Sequence, residues 1–290
     1  MPIIKVFDPG GRKRLHLAAA ATALALSEGS EPVKATKRAK RSRVEKTRPR
    51  NPNSLTFDQH VFPLKTMEQF AQDGRVSVYL ISRGKVLSAK PSNPLFCACR
   101  AWDERAEAGY MKRIEDEFQA VVAPIVDGKV GAIASEQKPA VDRMYALWYM
   151  RARYKDLEEQ EIQLHGIAGY ALTKEREENL EKNGYMFARK GGTMPARQLN
   201  SVQLQMRIAR CARQLAASVT RWGVISSQSG EFIVPDVPLH LIIPLSPRLA
   251  LVGSSPDDVI VEQSLAEINR ATRAASQEYF FARDLAACPV

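Results

Sequence analysis

The chain has 290 residues, of which 45% are hydrophobic and 26% charged, proportions typical of a soluble globular protein. The sequence lacks the run of about 18 apolar residues that a membrane-spanning helix needs, and its four cysteines are too few and too scattered for a disulfide framework. We therefore expect a protein of a reducing compartment, the cytoplasm, with no membrane association.

The formal net charge of +10 is concentrated near the N-terminus. Residues 1–54 contain 13 Lys or Arg and 4 Asp or Glu, a charge of +9, whereas residues 55–290 carry +1. Within this leader, residues 34–50 include nine basic side chains, one acidic side chain and almost nothing apolar. Such a run cannot bury enough apolar surface to offset its loss of conformational entropy. We predict a basic, largely disordered leader over 1–54 and a single folded domain over 55–290.

An Ala-rich segment at 15–26 follows three basic residues in the leader. It has the outline of a weak signal-peptide core, with Ala23-Leu24-Ala25 as a candidate cleavage site. Its hydrophobicity is mild and Asp8 precedes it, which favours the alternative of a short helix in a cytoplasmic protein.

The first elements predicted in the body form a β-hairpin. The segment RVSVYLI at 75–81 is strand-like, Gly84 and Lys85 form a turn, and a second strand follows at 86–89. Apolar residues at helical spacing, together with capping and stop signals, predict helices further along the chain. Their expected ranges are 104–126, 135–165, 172–182, 195–220 and 257–282.

A second strand-rich region lies at 221–253, between the last two predicted helices. Its short apolar runs, at 222–226, 232–234, 240–244 and 249–252, are separated by Gly- and Pro-containing turns, a pattern typical of an antiparallel meander. Because proline cannot donate to a central β-ladder, the four prolines of this region must lie at strand ends.

No βαβ alternation, internal repeat, P-loop or G-x-G-x-x-G motif occurs, which argues against a nucleotide-binding α/β protein. The predicted class is α+β, a helix-rich single domain. Each hairpin region would be marginal alone, so we expect both to join in one small antiparallel sheet with the helices packed over it.

The close pair Cys97-Ala-Cys99 has no matching second pair. Zinc binding is one interpretation of such a pair, and ordinary strand or loop thiols are the alternative that the spacing favours.

Several short blocks occur in an order that is similar to a known family: HVFP at 60–63, the hairpin at 75–89, Ile114-Glu115, FIVPDVP at 232–238 and IPLSP at 243–247. Over about 55–285 the chain resembles a bacterial family of unknown function numbered 4238. The resemblance implies a context of phage defence or toxin genes. This chain departs from the family at Val61, Leu64 and Pro235, and at two of these places a polar group is lost.

The resemblance marks three polar residues for candidate chemistry: His60, Glu115 and Asp236. An imidazole and two carboxylates can bind a divalent metal, and such a site can activate water for phosphodiester hydrolysis. The competing interpretation is structural: His60 anchors a loop and Glu115 pairs with an arginine. Asp236, between two prolines, then makes an Asx-type turn over Pro235–Pro238 by accepting backbone N–H bonds.

The charge distribution predicts a partner more directly than these residues predict a reaction. Lys and Arg side chains that meet phosphates release counterions and provide affinity without sequence preference. We expect a nucleic-acid-associated protein of defence or toxin type. The expected phosphate-binding residues are Lys34, Lys37, Arg38, Lys40, Arg41, Arg43, Lys46, Arg48 and Arg50. The alternatives are a metal-dependent nuclease and a non-catalytic module whose basic arm binds an acidic protein.

Overall fold

The computed structural model describes residues 44–156, 161–238 and 240–290. The predicted Ala-rich segment at 15–26 and the basic positions from 34 to 43 lie outside this range. The α-helices of the described chain are α1 (Leu64–Glu68), α2 (Lys112–Val126), α3 (Lys138–Tyr154), α4 (Lys174–Lys182), α5 (Ala196–Ser218) and α6 (Glu262–Ala275). Among them, none is long and apolar enough to cross a membrane.

The strands form two four-stranded and two two-stranded sheets in the described chain. They are β1 (Asp58–His60), β2 (Val76–Leu80), β3 (Lys85–Ala89), β4 (Cys97–Cys99), β5 (Glu161–Gln163), β6 (Thr193–Pro195), β7 (Trp222–Ser227), β8 (Val234–Pro235), β9 (Ile242–Ser246), β10 (Leu249–Gly253), β11 (Asp258–Ile260) and β12 (Tyr279–Ala282). The larger sheets have the orders β11-β7-β10-β9 and β3-β2-β12-β8, and the smaller ones pair β1 with β4 and β5 with β6. The α+β class is confirmed.

The first hairpin is confirmed, and of the second strand-rich region only β8 joins its sheet, through β12. Strands β2 and β3 pair antiparallel from Val76 opposite Ala89 to Leu80 opposite Lys85. The other edge of β2 pairs with β12, from the end of the chain, and not with β7, β9 or β10. The sheet is completed by a strand about 200 residues away in sequence, which no local pattern could indicate.

The predicted meander is divided between the two large sheets. Strands β7, β10 and β9 pair antiparallel, as expected of three of its four runs. The remaining run, 232–234, contributes β8, which pairs instead with β12 through Val234 and Pro235. Strand β8 is a short edge strand, the position in which Pro235 can lack an N–H donor without breaking a ladder.

Helices α2, α4 and α5 lie within their predicted ranges, although a π-helical stretch, Arg105–Met111, precedes α2. The Thr173 hydroxyl caps α4 by accepting the N–H of Arg176 at 3.3 Å. The predicted stripe of α5 is buried; its members are Leu204, Ile208, Cys211, Leu215 and Val219.

Two predicted helices are shorter than expected. Helix α3 ends at Tyr154, and Glu161–Gln163 is a strand in which Ile162 alternates with exposed neighbours. Helix α6 occupies only the middle of the 257–282 range, because β11 precedes it and β12 follows it. All four residues of β12, Tyr-Phe-Phe-Ala, are buried between two strands, an environment that suits aromatic residues better than a helix end does.

An aromatic core joins α3 to the β3-β2-β12-β8 sheet. The Phe62 ring lies 4.6 Å from the Trp148 ring of α3 and 6.4 Å from the Phe281 ring of β12. The Phe96 ring contacts Phe281 at 5.5 Å. Such ring pairs add about 0.5–1.5 kcal/mol each beyond the contribution of the buried area. Through Phe62, the HVFP block is therefore held against α3 and the sheet.

The folded domain begins before the predicted boundary at Leu55. Val44 is only 7% exposed, and Glu45 and Arg48 make ion pairs with the body. The reason is the single acidic residue of the basic run, which brings this segment to a cluster of cations. The segment 44–54, which we call the anchor, belongs to the domain and not to a disordered leader.

Candidate functional site

His60 ends strand β1 and is only partly buried. Its Nε2 atom lies 3.3 Å from the backbone carbonyl oxygen of Pro91, to which the ring N–H can donate. On the same strand, the Gln59 amide donates to the Trp102 carbonyl at 2.8 Å. These contacts fasten two loops to β1, the structural role that was the alternative for His60.

Glu115 lies on α2 and accepts a hydrogen bond from the guanidinium of Arg151 on α3. Arg151 is 1% exposed and also binds Glu107 at 3.0 Å, while its guanidinium lies 5.6 Å from the centre of the Trp102 ring. Trp102 donates its indole N–H to Glu107 at 2.5 Å. Glu115 therefore neutralises a buried cation between α2 and α3.

Asp236 is 2% exposed and follows β8. Its two carboxylate oxygens accept the backbone N–H groups of Gln277 and Glu278 at 2.9 and 2.8 Å, and the Lys155 ammonium lies 3.9 Å away. Burial raises the pKa of Asp236, against the opposing effects of Lys155 and the two N–H groups. Asp236 thus closes the turn that leads from α6 into β12.

The proposed metal ligands do not come together. Each of the three has its own partners on a different part of the fold, and the described residues contain no cluster of three or more His, Cys, Asp or Glu side chains able to hold a metal ion. The hypothesis that His60, Glu115 and Asp236 bind one metal is wrong. Glu115 and Asp236 are connected only through their cations, because Arg151 lies on α3 and Lys155 directly follows the end of that helix, four residues further along.

The anchor brings Glu45 into the most highly charged part of the structure. One carboxylate oxygen accepts from Lys174 and, at 2.7 Å, from Arg189, and the other accepts from Arg197 at 2.5 Å. Burial opposes the ionisation of Glu45, but Arg197 and Lys174, with Arg189, outweigh it and lower the pKa of Glu45 to about 2. Glu45 is therefore a partly buried anion at neutral pH.

A second carboxylate completes this charge cluster. Glu181 of α4 accepts from Arg100 at 2.7 Å and from Arg197 at 2.8 Å, and all three side chains are at most 3% exposed. Arg100 also donates to the backbone carbonyl of Glu45 at 3.0 Å. The anchor is thus bonded to α4 and α5 through side-chain and backbone atoms together.

Arg48 belongs to the anchor and is not a free phosphate ligand. Its guanidinium binds Glu178 and Glu175 of α4, each at 3.1 Å, and its backbone N–H donates to Glu178 at 2.6 Å. Lys46 and Arg50, the other two predicted binding residues that the structure describes, are exposed. The six basic residues from Lys34 to Arg43 join the described chain at Val44, beside α4.

Exposed apolar side chains gather next to the anchor. The side chains of Ile167, Tyr170, Tyr185 and Met186 are 50%, 77%, 64% and 38% exposed. Tyr170 and Tyr185 are the two highly exposed tyrosines of the described chain, and Arg176 shares the lining of one groove with Tyr185. We call the surface of residues 165–190, a segment that includes α4, around these two rings the tyrosine face.

An open groove of about 430 Å³ runs along α4 on this face. It is lined by Thr173, Glu175, Arg176, Asn179, Leu180, Asn183 and Tyr185. Its lining combines amide and charged side chains with Leu180 and the ring of Tyr185, and Glu175 links it to Arg48 of the anchor.

Sequence reasoning missed both the anchor and the tyrosine face. The signal for the anchor was Glu45, the single acidic residue among nine basic ones. The net charge of the run gives this one residue no weight. Nothing in the sequence indicated that the two tyrosines are exposed. The residues around them have no regular apolar periodicity from which the exposed side of the segment could be predicted.

Comparison with protein-family models, curated proteins and solved structures finds no match to this chain. The resemblance to family 4238 therefore stays a prediction.

Proposed function

We propose that this protein associates with nucleic acid through the basic run that precedes the anchor, together with the tyrosine face. The observation that carries the proposal is the ion-paired docking of Glu45 and Arg48 onto α4 and α5. The basic run is covalently continuous with the anchor, because Arg43 directly precedes Val44 in the chain. The cations of the run and the exposed cations of the face then act on the same phosphate backbone.

The distribution of charge supports phosphate as the ligand. The run contributes six positive charges between Lys34 and Arg43 and no negative one. Binding by such contacts is sequence-independent and depends steeply on salt. A place among bacterial defence or toxin proteins is proposed from the family resemblance alone. A reducing compartment, the cytoplasm, is proposed from the small number and wide scatter of the four cysteines in the sequence.

The test compares two full-length variants that lose equal charge. The arm variant replaces Lys34, Lys37, Arg38, Lys40, Arg41 and Arg43 with Gln. The control variant replaces six exposed cations of the body, namely Lys65, Arg83, Lys85, Lys90, Arg113 and Lys129. Fluorescence anisotropy measures the affinity of each for labelled DNA across a salt series.

We expect the arm variant to bind far more weakly and to lose up to about 5 units of the slope of log K against log salt, since each phosphate contact contributes about 0.7–0.9. The control variant should stay close to wild type. Equal binding by the two variants would refute a specific role for the arm, because both carry the same net charge.

An acidic protein partner is the competing candidate for the same cations. Oligoglutamate of the same charge as the DNA serves as the competitor. If oligoglutamate displaces the labelled DNA at much lower concentrations than unlabelled DNA does, the result favours the protein partner.

A further inference from the structure

We propose that the groove along α4 receives unpaired nucleotides, with the rings of Tyr185 and Tyr170 as stacking surfaces, so that the protein prefers single-stranded to duplex nucleic acid. This inference rests on the proposed nucleic-acid association and names its substrate class. It is carried by the position, exposure and backbone support of the two tyrosines.

Tyr185 is held in place by the end of α4. Gly184 has a φ of 79°, and its N–H donates to Glu181 while the N–H of Tyr185 donates to Leu180, at 3.0 and 2.9 Å. This pair of bonds is a Schellman motif, which fixes the residue after the glycine relative to the helix. The Tyr185 ring is nevertheless 64% exposed, so a rigid backbone presents an open aromatic surface to the groove.

Tyr170 is supported by the same stretch of chain. Its N–H donates to the carbonyl of Ala188 at 3.1 Å, three residues after Tyr185. From this bond and the length of the intervening chain, the Cα atoms of the two tyrosines lie at most roughly 17 Å apart. Both rings are therefore within reach of one strand of a few nucleotides.

The fold makes α4 less acidic on its surface than its sequence, KEREENLEK, indicates. Three of its four glutamates, Glu177, Glu178 and Glu181, are at most 6% exposed and are paired with arginines from other segments. Arg176 and Lys182 remain on the outside with the single exposed acid, Glu175, which Arg48 neutralises in part. The groove thus offers one cation, Arg176, and the amide groups of Asn179 and Asn183 to a phosphate backbone.

Stacking surfaces distinguish single strands from duplexes. Bases in a duplex are stacked on each other and cannot lie on a protein ring, whereas an unpaired base can stack on any exposed aromatic side chain. Amide side chains such as Asn179 and Asn183 can bond to base edges. The basic run alone, which binds phosphates, would not make this distinction.

The test uses the full-length protein with two labelled probes, an oligothymidylate of about 20 nucleotides, longer than one binding site, and a duplex of the same length. The variants are Tyr185→Ala, Tyr170→Ala, and the matched Tyr185→Phe and Tyr170→Phe, which keep the rings. Val86→Ala, which trims a side chain that is 58% exposed on β3, controls for loss of exposed apolar surface. Thermal melts verify that each variant is folded.

We expect each Tyr→Ala change to weaken binding of the single strand by about tenfold or more, with duplex binding unchanged. The Phe variants and Val86→Ala should bind both probes as wild type does. If the Ala variants bind the single strand as wild type does, while the arm variant loses binding, the stacking inference fails and the nucleic-acid association stands.

If the wild type binds neither probe at low salt, both proposals fail together. A wild type that binds the duplex at least as tightly as the single strand also overturns the inference. Capture of oligoglutamate but not of either probe would assign the tyrosine face to an acidic protein.

Discussion

Glu45 and Arg197 stand 152 positions apart in the chain, yet the Arg197 guanidinium donates to a carboxylate oxygen of Glu45 at 2.5 Å. The Arg197 side chain is 1% exposed and that of Glu45 is 24% exposed. This pair joins the N-terminal anchor to α5.

The Glu45→Ala substitution should lower the free energy of unfolding by about 1–3 kcal/mol, because it leaves the buried Arg197 with an unsatisfied donor. Glu45→Gln keeps an acceptor oxygen but not the charge, so its free energy of unfolding should lie between those of Glu45→Ala and wild type. Urea denaturation gives the values. Lys46→Ala, at the exposed neighbouring position, is the control and should stay within about 0.5 kcal/mol of wild type. Equal effects at positions 45 and 46 would show that the anchor does not contribute to stability.

The contribution of Glu45 should depend on pH in a defined direction. Its pKa is lowered from 4.5 to about 2 in the folded state, so the unfolded chain takes up a proton first as the pH falls. The stabilisation is fully present above pH 4.5 and is lost as the pH falls towards 2. The difference in unfolding free energy between wild type and Glu45→Gln should therefore shrink over this window. A difference that stays constant down to pH 2.5 contradicts the assignment.

Two truncations test the revised domain boundary. Removal of residues 1–54 should lower the thermal midpoint more than removal of residues 1–43 does. The longer deletion breaks the contacts of Glu45 and Arg48 and uncovers Arg100, Arg197 and Glu178. Identical melting of the two truncated proteins would support the original boundary at Leu55.

Asp236 should behave as a structural residue. Asp236→Ala leaves the N–H groups of Gln277 and Glu278 unsatisfied and should cost about 1–3 kcal/mol. Asp236→Asn keeps one acceptor oxygen for the two donors and should recover part of that loss. Thermal melts with and without a chelator make the comparison. An Asp236→Ala protein as stable as wild type, or a wild type destabilised by the chelator, would reverse this interpretation.

Gly169 tests the backbone that supports Tyr170. Its φ is 65°, and a Cβ atom there would lie 2.0 Å from the backbone oxygen of Arg189. Gly169→Ala should therefore separate the two segments and destabilise the fold by about 1–3 kcal/mol. Gly131→Ala is the matched control, because a Cβ atom at that position meets nothing within 4 Å. If both glycine variants melt alike, the close approach of the two backbones is not required.

Local patterns in the sequence were sufficient for the elements whose determinants are neighbours in the chain. The β2–β3 hairpin follows from strand residues around Gly84, the start of α4 from Thr173, and α5 from an apolar stripe at helical spacing. The class α+β follows from these elements, and the concentration of positive charge before residue 54 is a property of the sequence alone.

Tertiary structure decided the features that depend on distant partners. Strand β12 lies inside a predicted helix because β2 and β8 are available on either side of it, and Asp236 is a turn residue because Gln277 and Glu278 present their N–H groups to it. The same holds for Glu45, whose role depends on cations from three other segments, and for the tyrosines, whose exposure is set by what packs around them. Periodicity and capping act over a few residues, whereas ion pairing, strand pairing and exposure are settled only when the whole chain has folded.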